Sequence, residues 1–361
     1  MYANHLELKQ FRNYQTLSLD LGPHLTIVTG DNAQGKTNLL EALYLCATGR
    51  SWRTSNEKEC IARDKEEAYV GLDYMYRDKK EKVEMVLRRN ARKSAMINGY
   101  PVHRINDLFG RFHVVVFSPE DLYLVKGSPS KRRRFLDMEI SQQDPIYLYN
   151  LQQYTIVLKQ RNRLLKTEKD PDRLKETLFA WDKQLAYYGI RVIQRRMDFL
   201  KELTVYTAKV HEKISGGKEE VTMKYEETVP ADQEIFLRRL ELSFDKDRKT
   251  ASTTIGPQHD DVAFLINGID VRIFGSQGQQ RTLALSLKIA VMQMMRDKLS
   301  DSPVLLLDDV MSELDHERQR QLTEYISSSQ TILTCTGVED SLKNLHAEKI
   351  LHVEKGEVRC E

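Results

Sequence analysis

Leu25-Thr26-Ile27-Val28-Thr29-Gly30-Asp31-Asn32-Ala33-Gln34-Gly35-Lys36-Thr37 joins a short apolar strand to a helix beginning near Asn38, through a loop of the form G-x-x-x-x-G-K-[ST]. The physics of that loop sets its composition. Glycines let the backbone curl so that successive N–H groups point at one anion. The start of the following helix adds its positive dipole end. Gly30, Asp31, Asn32, Ala33, Gln34, Gly35, Lys36 and Thr37 are therefore expected to cradle the phosphates of a nucleotide. Lys36 is expected to reach the β and γ phosphates and serve catalysis. The Thr37 hydroxyl is expected to ligate Mg²⁺.

A second chemical feature stands far downstream. Val304-Leu305-Leu306-Leu307-Asp308-Asp309 is an apolar strand ending in two acids. Asp308 at the strand tip is a metal ligand in this reading, acting through water. Asp309 is the catalytic carboxylate that polarises an attacking water. Compact nucleotide folds keep these elements together, so the long separation implies a large insertion in one α/β domain. The segment Phe274-Gly275-Ser276-Gln277-Gly278-Gln279-Gln280-Arg281 forms another small-residue turn at a helix start, hence a second anion site. Since Lys36 serves the phosphates from its own loop, Ser276 and the Gly278 N–H are expected to bind the γ phosphate of a nucleotide held by another subunit. An N-capping turn without ligand is the alternative. Ser312-Glu313-Leu314-Asp315 is placed at the same subunit contact.

The rest of the chain fits this frame. Residues His5–Lys9, Gln15–Leu19, 68–76 and 83–88 alternate as strands, Asn98-Gly99 marks a hairpin turn, and Val114–Phe117 reads as a buried strand. From about Lys131 to His211 the pattern is helical, broken at Asp170-Pro171-Asp172 and ended at Gly216-Gly217. Val262–Ile266, Val271–Phe274, Val304–Leu307 and Ile332–Cys335 read as strands, and Gln279–Lys298 as a long helix. The expected division is a nucleotide-binding head from 1–125 and 252–361, with a helical arm at 126–251. The chain has 361 residues, 40% hydrophobic and 30% charged, with net charge +2. That composition is globular, and overall charge says little about partners. The four cysteines form no C-x-x-C pair, which argues against zinc or a disulfide framework. The N-terminus lacks the apolar block of a signal peptide and no stretch suits a bilayer, so a cytoplasmic location without membrane contact is expected.

Basic clusters are the candidates for nucleic acid. Lys131, Arg132, Arg133 and Arg134 form one run. Arg161, Arg163 and Lys166 lie close to one helical face, and Arg191 and Arg195 share another. Such clusters bind DNA phosphates without sequence preference, although a solvated helix face has the same composition.

Phosphate loop, G-S-Q-G-Q-Q and L-L-L-D-D-V-M-S-E-L-D stand in the order of the ATPase heads of the ABC and SMC superfamily. With Phe11-Arg12-Asn13-Tyr14, Ser118-Pro119-Glu120-Asp121, Lys131 to Asp137 and Gln160-Arg161-Asn162, the chain resembles the RecF family of bacterial recombination mediators over nearly its whole length. The resemblance implies an SMC-like head with a helical arm in place of a long coiled coil. It implies a weak, DNA-stimulated ATPase that uses ATP and Mg²⁺ and closes as a homodimer on ATP. It also implies double-stranded or gapped DNA as ligand, RecO and RecR as partners, and roles in recombinase loading, replication restart and the SOS response.

Three departures from the expected patterns stand out. Gly256-Pro257-Gln258-His259-Asp260-Asp261 differs from the family's G-P-H-R-D-D. The loop after Phe117 lacks the glutamine of ABC proteins, leaving Glu120 or Asp121 as substitutes. Thr334-Cys335-Thr336 replaces the histidine of transporters, consistent with slow hydrolysis. The alternatives are an ABC-type ATPase subunit coupled to another partner such as a transporter, and a small-molecule phosphotransferase. Use of GTP is disfavoured because no N-K-x-D motif is present.

Overall fold

The computed structural model describes residues 1–299, 301–326, 328–337 and 346–360. The chain divides into two compact units, Met1–Asp121 with Ala284–Glu361, and Leu122–Leu283.

The first unit holds two six-stranded sheets. One is antiparallel and runs in the order Tyr14–Asp20, Tyr2–Phe11, Glu67–Tyr76, Lys79–Arg88, Ser94–Ile97, Tyr100–Pro101. Its strands alternate, with Val83, Met85 and Leu87 buried along Lys79–Arg88, so one face packs on the core. Asn98 and Gly99, with φ of 52° and 80°, make the expected tight turn. The other sheet runs Glu357–Cys360, Lys349–Glu354, Leu25–Thr29, Thr331–Thr334, Val304–Asp308, Val114–Phe117. All its pairings are parallel except the Lys349–Glu354/Glu357–Cys360 hairpin at the edge. Leu25–Thr29, Val304–Asp308, Thr331–Thr334 and Val114–Phe117 are buried at every position, which is why they read as unbroken apolar runs rather than alternation.

The order of strands explains the long separation of the two site motifs. Leu25–Thr29 and Val304–Asp308 flank Thr331–Thr334, and their carboxyl ends lie level: Val28 pairs with Thr334, and Thr334 with Asp308. Ligands of open parallel sheets bind at such ends. The helix Lys36–Thr48 follows the first strand, with eleven of its thirteen residues buried, and stops at Gly49 in the left-handed conformation.

The second unit is mainly helical: Pro129–Gln143, Pro145–Thr167, Pro171–Ser215, Gln233–Leu242 and Phe244–Thr250, with a sheet of Val221–Glu226, Asp261–Ile266 and Ile269–Asp270. Proline opens Pro129–Gln143, Pro145–Thr167 and Pro171–Ser215, where its missing N–H costs nothing. Asp144 and Asp170 cap two of them, accepting from the N–H groups of Ile146 and Tyr147, and of Asp172 and Arg173, at 2.9–3.1 Å. The break at Asp144-Pro145 has the same signature as the one at Asp170-Pro171, yet it escaped the sequence reading.

Two further expectations need correction. Val271–Phe274 is a helical turn, not a strand, because the Asp270 carboxylate caps Arg272 N–H at 2.8 Å and turns the chain. Four apolar-rich residues cannot separate the two periodicities. The second junction between units falls at 283/284, not 251/252, because Asp261–Ile266 pairs with Val221–Glu226 along six residues.

Candidate functional site

The phosphate loop is built from backbone the sequence makes possible. Gly30, Ala33 and Gly35 have φ of 141°, 66° and 124°, so the chain coils back on itself. A Cβ on Gly30 would collide with the Val353 carbonyl, and one on Gly35 would sit 2.6 Å from the Asn13 amide. The loop is therefore a cradle that side chains would fill. The Lys36 ammonium is buried and folds back across its own loop, donating to the carbonyls of Gly30 (2.5 Å) and Asp31 (2.9 Å). Asp31, Asn32 and Ala33 are exposed and Gln34 half-buried.

Thr37 and Asp308 meet. The threonine hydroxyl donates to Asp308 Oδ1 at 2.7 Å, and Thr334 donates to the same oxygen at 3.0 Å. Asp308 is buried, and burial raises its carboxyl pKa although both hydroxyls oppose the rise. Asp309, half-buried, has φ of 52°, in the left-handed region that aspartate tolerates better than most side chains. Its N–H donates to Thr334 Oγ1 at 3.0 Å. Thr334 thus holds both acids at once. Hard oxygens of a carboxylate and a hydroxyl side by side suit a small divalent cation such as Mg²⁺. Asp121, one of the two candidate substitutes for glutamine with Glu120, is engaged elsewhere: it accepts from Ser118 N–H at 2.8 Å and pairs with Lys288 at 3.2 Å.

The N-terminal Phe11-Arg12-Asn13-Tyr14 entered the sequence reading only as part of a resemblance. It clamps the loop. Asn13 donates to Gln34 O at 2.6 Å, and Tyr14, its hydroxyl buried, donates to Gly35 O at 3.1 Å. Lys355 N–H reaches Gln34 Oε1 at 2.7 Å, and the adjacent Gly356 N–H donates to Gln34 O at 3.2 Å. Arg12 grips fully buried Glu41 with two hydrogen bonds, 2.9 and 2.7 Å, while Ser51 (2.5 Å) and Arg53 (3.2 Å) hold the same carboxylate. Burial pushes Glu41 up, but its hydrogen bonds to Arg12 and Ser51 outweigh that and keep it below the usual carboxylate range. Nearby Cys60 is pushed up to about 12 by burial and by Glu41. Arg12 and Arg53 also line a cavity of about 630 Å³ beside the loop helix, with Asn13, Asn38, Lys58, Arg63 and Arg89. Five cations against the single acid Glu59 make that wall positive. No single motif marks it, because its residues come from four stretches of the chain.

Ser276 and Gly278 belong to the second unit. Ser276 is exposed and opens the helix Gln277–Leu299 as a capping box: its Oγ accepts from Gln279 N–H at 3.1 Å, and Gln279 Oε1 accepts from Ser276 N–H at 2.9 Å. The capping geometry foreseen as the alternative is present. Beside it, Ile273 and Phe274 are exposed at 63% and 73%.

The basic candidates divide sharply. Arg132 and Arg161 are buried and must be withdrawn as DNA contacts. Arg132 lies against Asp261 with two bonds of 2.6 and 2.9 Å. Arg161 lies between Asp182 (2.6 Å) and Asp247 (2.7 Å) and also donates to Thr253. A guanidinium buried against carboxylates has no N–H to offer a phosphate. Arg133 is half-buried and donates to the Asp260 carbonyl at 2.7 Å. Lys131, Arg134 and Arg163 are exposed. The divergent Gly256–Asp261 segment is a structural loop. Gln258 donates to Ile255 O at 2.8 Å, buried Asp260 accepts from Tyr225 and Thr228, and the Pro257 carbonyl accepts from Arg196 at 2.7 Å.

Comparison with known proteins adds the following. The family model described as RecF/RecN/SMC N terminal domain matches residues 2–358. The chain is 46% identical over 359 residues to the DNA replication and repair protein RecF of Lachnoclostridium phytofermentans, covering 99% of both chains. It is 41% identical over 365 residues to the protein of the same name from Clostridium perfringens, covering 100% of each. Among solved structures, the recombination mediator protein RecF with ATP, of the RecFOR pathway, matches with a TM-score of 0.92 at 34% identity, over 100% of this chain and 97% of that one. The Smc head domain of Pyrococcus furiosus matches with a TM-score of 0.57 at 17% identity, covering 100% and 96%, a likeness of fold. Nothing here favours the transporter-coupled alternative. Among the described residues, no helix is long and apolar enough to cross a membrane.

Proposed function

The chain belongs to the RecF family of DNA replication and repair proteins, within the wider family of RecF, RecN and SMC N-terminal domains, and from that premise we propose that it is an ATP-hydrolysing DNA-binding protein of recombinational repair. The observation that carries the reading is the meeting of Thr37 and Asp308 at 2.7 Å beside a loop that only glycine at positions 30 and 35 allows. Residues 30–37 bind the triphosphate through backbone N–H groups, and Lys36 turns from the Gly30 and Asp31 carbonyls to the β and γ phosphates. Thr37 and Asp308 would hold Mg²⁺, which would supply neutralisation of phosphate charge. Asp309 orients the attacking water and accepts its proton. Thr334 fixes both acids, and the cationic wall of Arg12 and Arg53 gives the nucleotide a second positive surface.

Closure is the finer part of the proposal. Ser276 and the Gly278 N–H complete the nucleotide site of a second copy, with exposed Ile273 and Phe274 beside them as part of the contact. ATP thus closes a homodimer that grips double-stranded or gapped DNA through Lys131, Arg133, Arg134 and Arg163. In this role it acts in the cytoplasm with RecO and RecR in recombinase loading, replication restart and the SOS response, with DNA stimulating a slow ATPase.

Sedimentation and calorimetry with ATP test this. Lys36→Ala should lose ATP binding. Ser276→Arg should bind ATP as a monomer, and Asp309→Asn should accumulate ATP-bound dimer. A Ser276→Arg protein that dimerises normally with ATP would refute the trans site.

A further inference from the structure

His211 is a fully buried titratable group near the end of the long helix Pro171–Ser215, and the nucleotide chemistry above makes no use of it. Gly216 and Gly217, with φ of 68° and 75°, reverse the chain just after that helix, in a conformation glycine adopts freely. The turn brings Glu219 back beside His211, with the imidazole Nε2 at 2.9 Å from Glu219 Oε2. The next residue is pinned as well. Glu220 N–H donates to Asn267 Oδ1, and Asn267 N–H to Glu220 O, both at 2.8 Å. From this fixed position Glu219 Oε1 accepts from Gln279 Nε2 at 2.9 Å. Gln279 is the residue whose Oε1 accepts from Ser276 N–H in the capping box. All of these residues belong to the second unit.

One group sets the direction of these bonds. A carboxylate accepts and cannot donate, so His211 Nε2 carries a proton and the Gln279 NH₂ faces Glu219. The Gln279 amide oxygen is then left for Ser276 N–H. Without that carboxylate the amide can turn over and present its NH₂ to an N–H group, which breaks the capping box. The box in turn orients the serine hydroxyl. Its Oγ accepts from Gln279 N–H at 3.1 Å, so its own hydrogen stays available for an anion oxygen outside the turn.

We propose that Glu219, backed by His211, is a positioning residue for the contact between Ser276 and the γ phosphate of a second copy. It acts through Gln279: by fixing which way that amide faces, it sets the exposed Ser276 hydroxyl as a hydrogen-bond donor. The inference rests on the trans site proposed above and names what holds that site ready. The loop at residues 30–37 lies in the first unit, so a fault at Glu219 spares ATP binding by the monomer and shows in dimerisation.

The test is sedimentation velocity of the full chain with and without ATP, with calorimetry for the ATP affinity of the monomer. Glu219→Gln puts an NH₂ against the Gln279 NH₂, and Gln279→Glu puts two carboxylates together. Each should weaken the ATP-bound dimer at least about tenfold, the equivalent of about 1.4 kcal/mol or one hydrogen bond, while monomer ATP affinity stays within about twofold. The exchange of both, Glu219→Gln with Gln279→Glu, lets residue 219 donate where it formerly accepted and keeps the pair at one negative charge. The bonds to His211 and to Ser276 N–H are then restored, and dimerisation should return to within about threefold of the parent. Parent-like dimerisation in Glu219→Gln would overturn the proposal, as would an exchange that recovers nothing. Weakened dimerisation matched by unfolding of the second unit under the assay conditions, followed at Trp181 in a Trp52→Phe background, would overturn it too. Normal ATP-driven dimerisation of Ser276→Arg would instead sink the trans site itself.

Discussion

Replacing Glu41 with glutamine should destabilise the nucleotide-binding unit by about 3 kcal/mol and loosen the phosphate loop. The Glu41 carboxylate is fully buried and accepts from Arg12 twice, from Ser51 and from Arg53. Glutamine keeps the shape but puts an NH₂ where one oxygen was. If it replaces Oε2, that NH₂ faces the N–H groups of Arg12 and Arg53; if Oε1, it faces Arg12 and Ser51. At least two accepting contacts are lost either way, the Cys60 thiol being a third, weak donor at Oε1, and charge-assisted bonds contribute about 1.5–3 kcal/mol each. The Arg53 side chain is 37% exposed and can turn to water, so its share is small. Arg12, at 17%, cannot, and its loss sets the figure at the lower end of the ~3–5 kcal/mol typical of a broken buried pair.

The chain has two tryptophans, Trp52 in the first unit and Trp181 in the second. In a Trp181→Phe background, the fluorescence of Trp52, edge-on to Tyr44 at 5.2 Å, therefore reports urea unfolding of the first unit alone. Because the folded protein holds Glu41 below its ordinary pKa, its contribution is present above the unfolded value and lost as pH falls through the folded one. The parent should thus lose stability on acidification faster than the glutamine variant. ATP affinity should fall as well, since Arg12 anchors the segment through which Asn13 and Tyr14 hold the loop. A loss below about 1 kcal/mol, or a steeper acid dependence in the variant, would refute the reasoning.

Gly35→Ala, at φ 124° and with its Cβ 2.6 Å from Asn13, should reduce ATP affinity at least about tenfold by calorimetry while leaving helix content by circular dichroism unchanged. Thr334→Val removes the hydroxyl that donates to Asp308 and accepts from Asp309 N–H, so steady-state hydrolysis should fall about 10–100-fold with ATP still bound. Arg161→Met leaves buried Asp247 without its cation. Unfolding followed at Trp181 should shift by about 3–5 kcal/mol, with the salt dependence of DNA binding unaltered. Lys131→Glu, at an exposed position, should instead reduce the slope of log affinity against log salt by about 1 and leave stability in place.

The sequence alone determined what local chemistry can specify. A strand running into Gly30–Thr37 and a helix, an apolar strand ending in Asp308-Asp309, and a proline- and aspartate-capped helical insertion are each contiguous, so periodicity and turn residues expose them. The fold class followed, because a nucleotide loop and a distant acidic strand tip make sense only in one parallel sheet. Tertiary structure decided what depends on segments far apart in the chain. Whether an arginine is a surface cation or a buried tie depends on where carboxylates such as Asp247 and Asp261 arrive, and no stretch around Arg161 or Arg132 contains them. Thr334 becomes the partner of both acids only because its strand pairs alongside the one strand that carries them. Asn13, Tyr14 and Glu41 become supports of the loop only when the N-terminal sheet packs beside it. Backbone conformation is written locally, but burial and electrostatic pairing belong to neighbours that folding alone brings together.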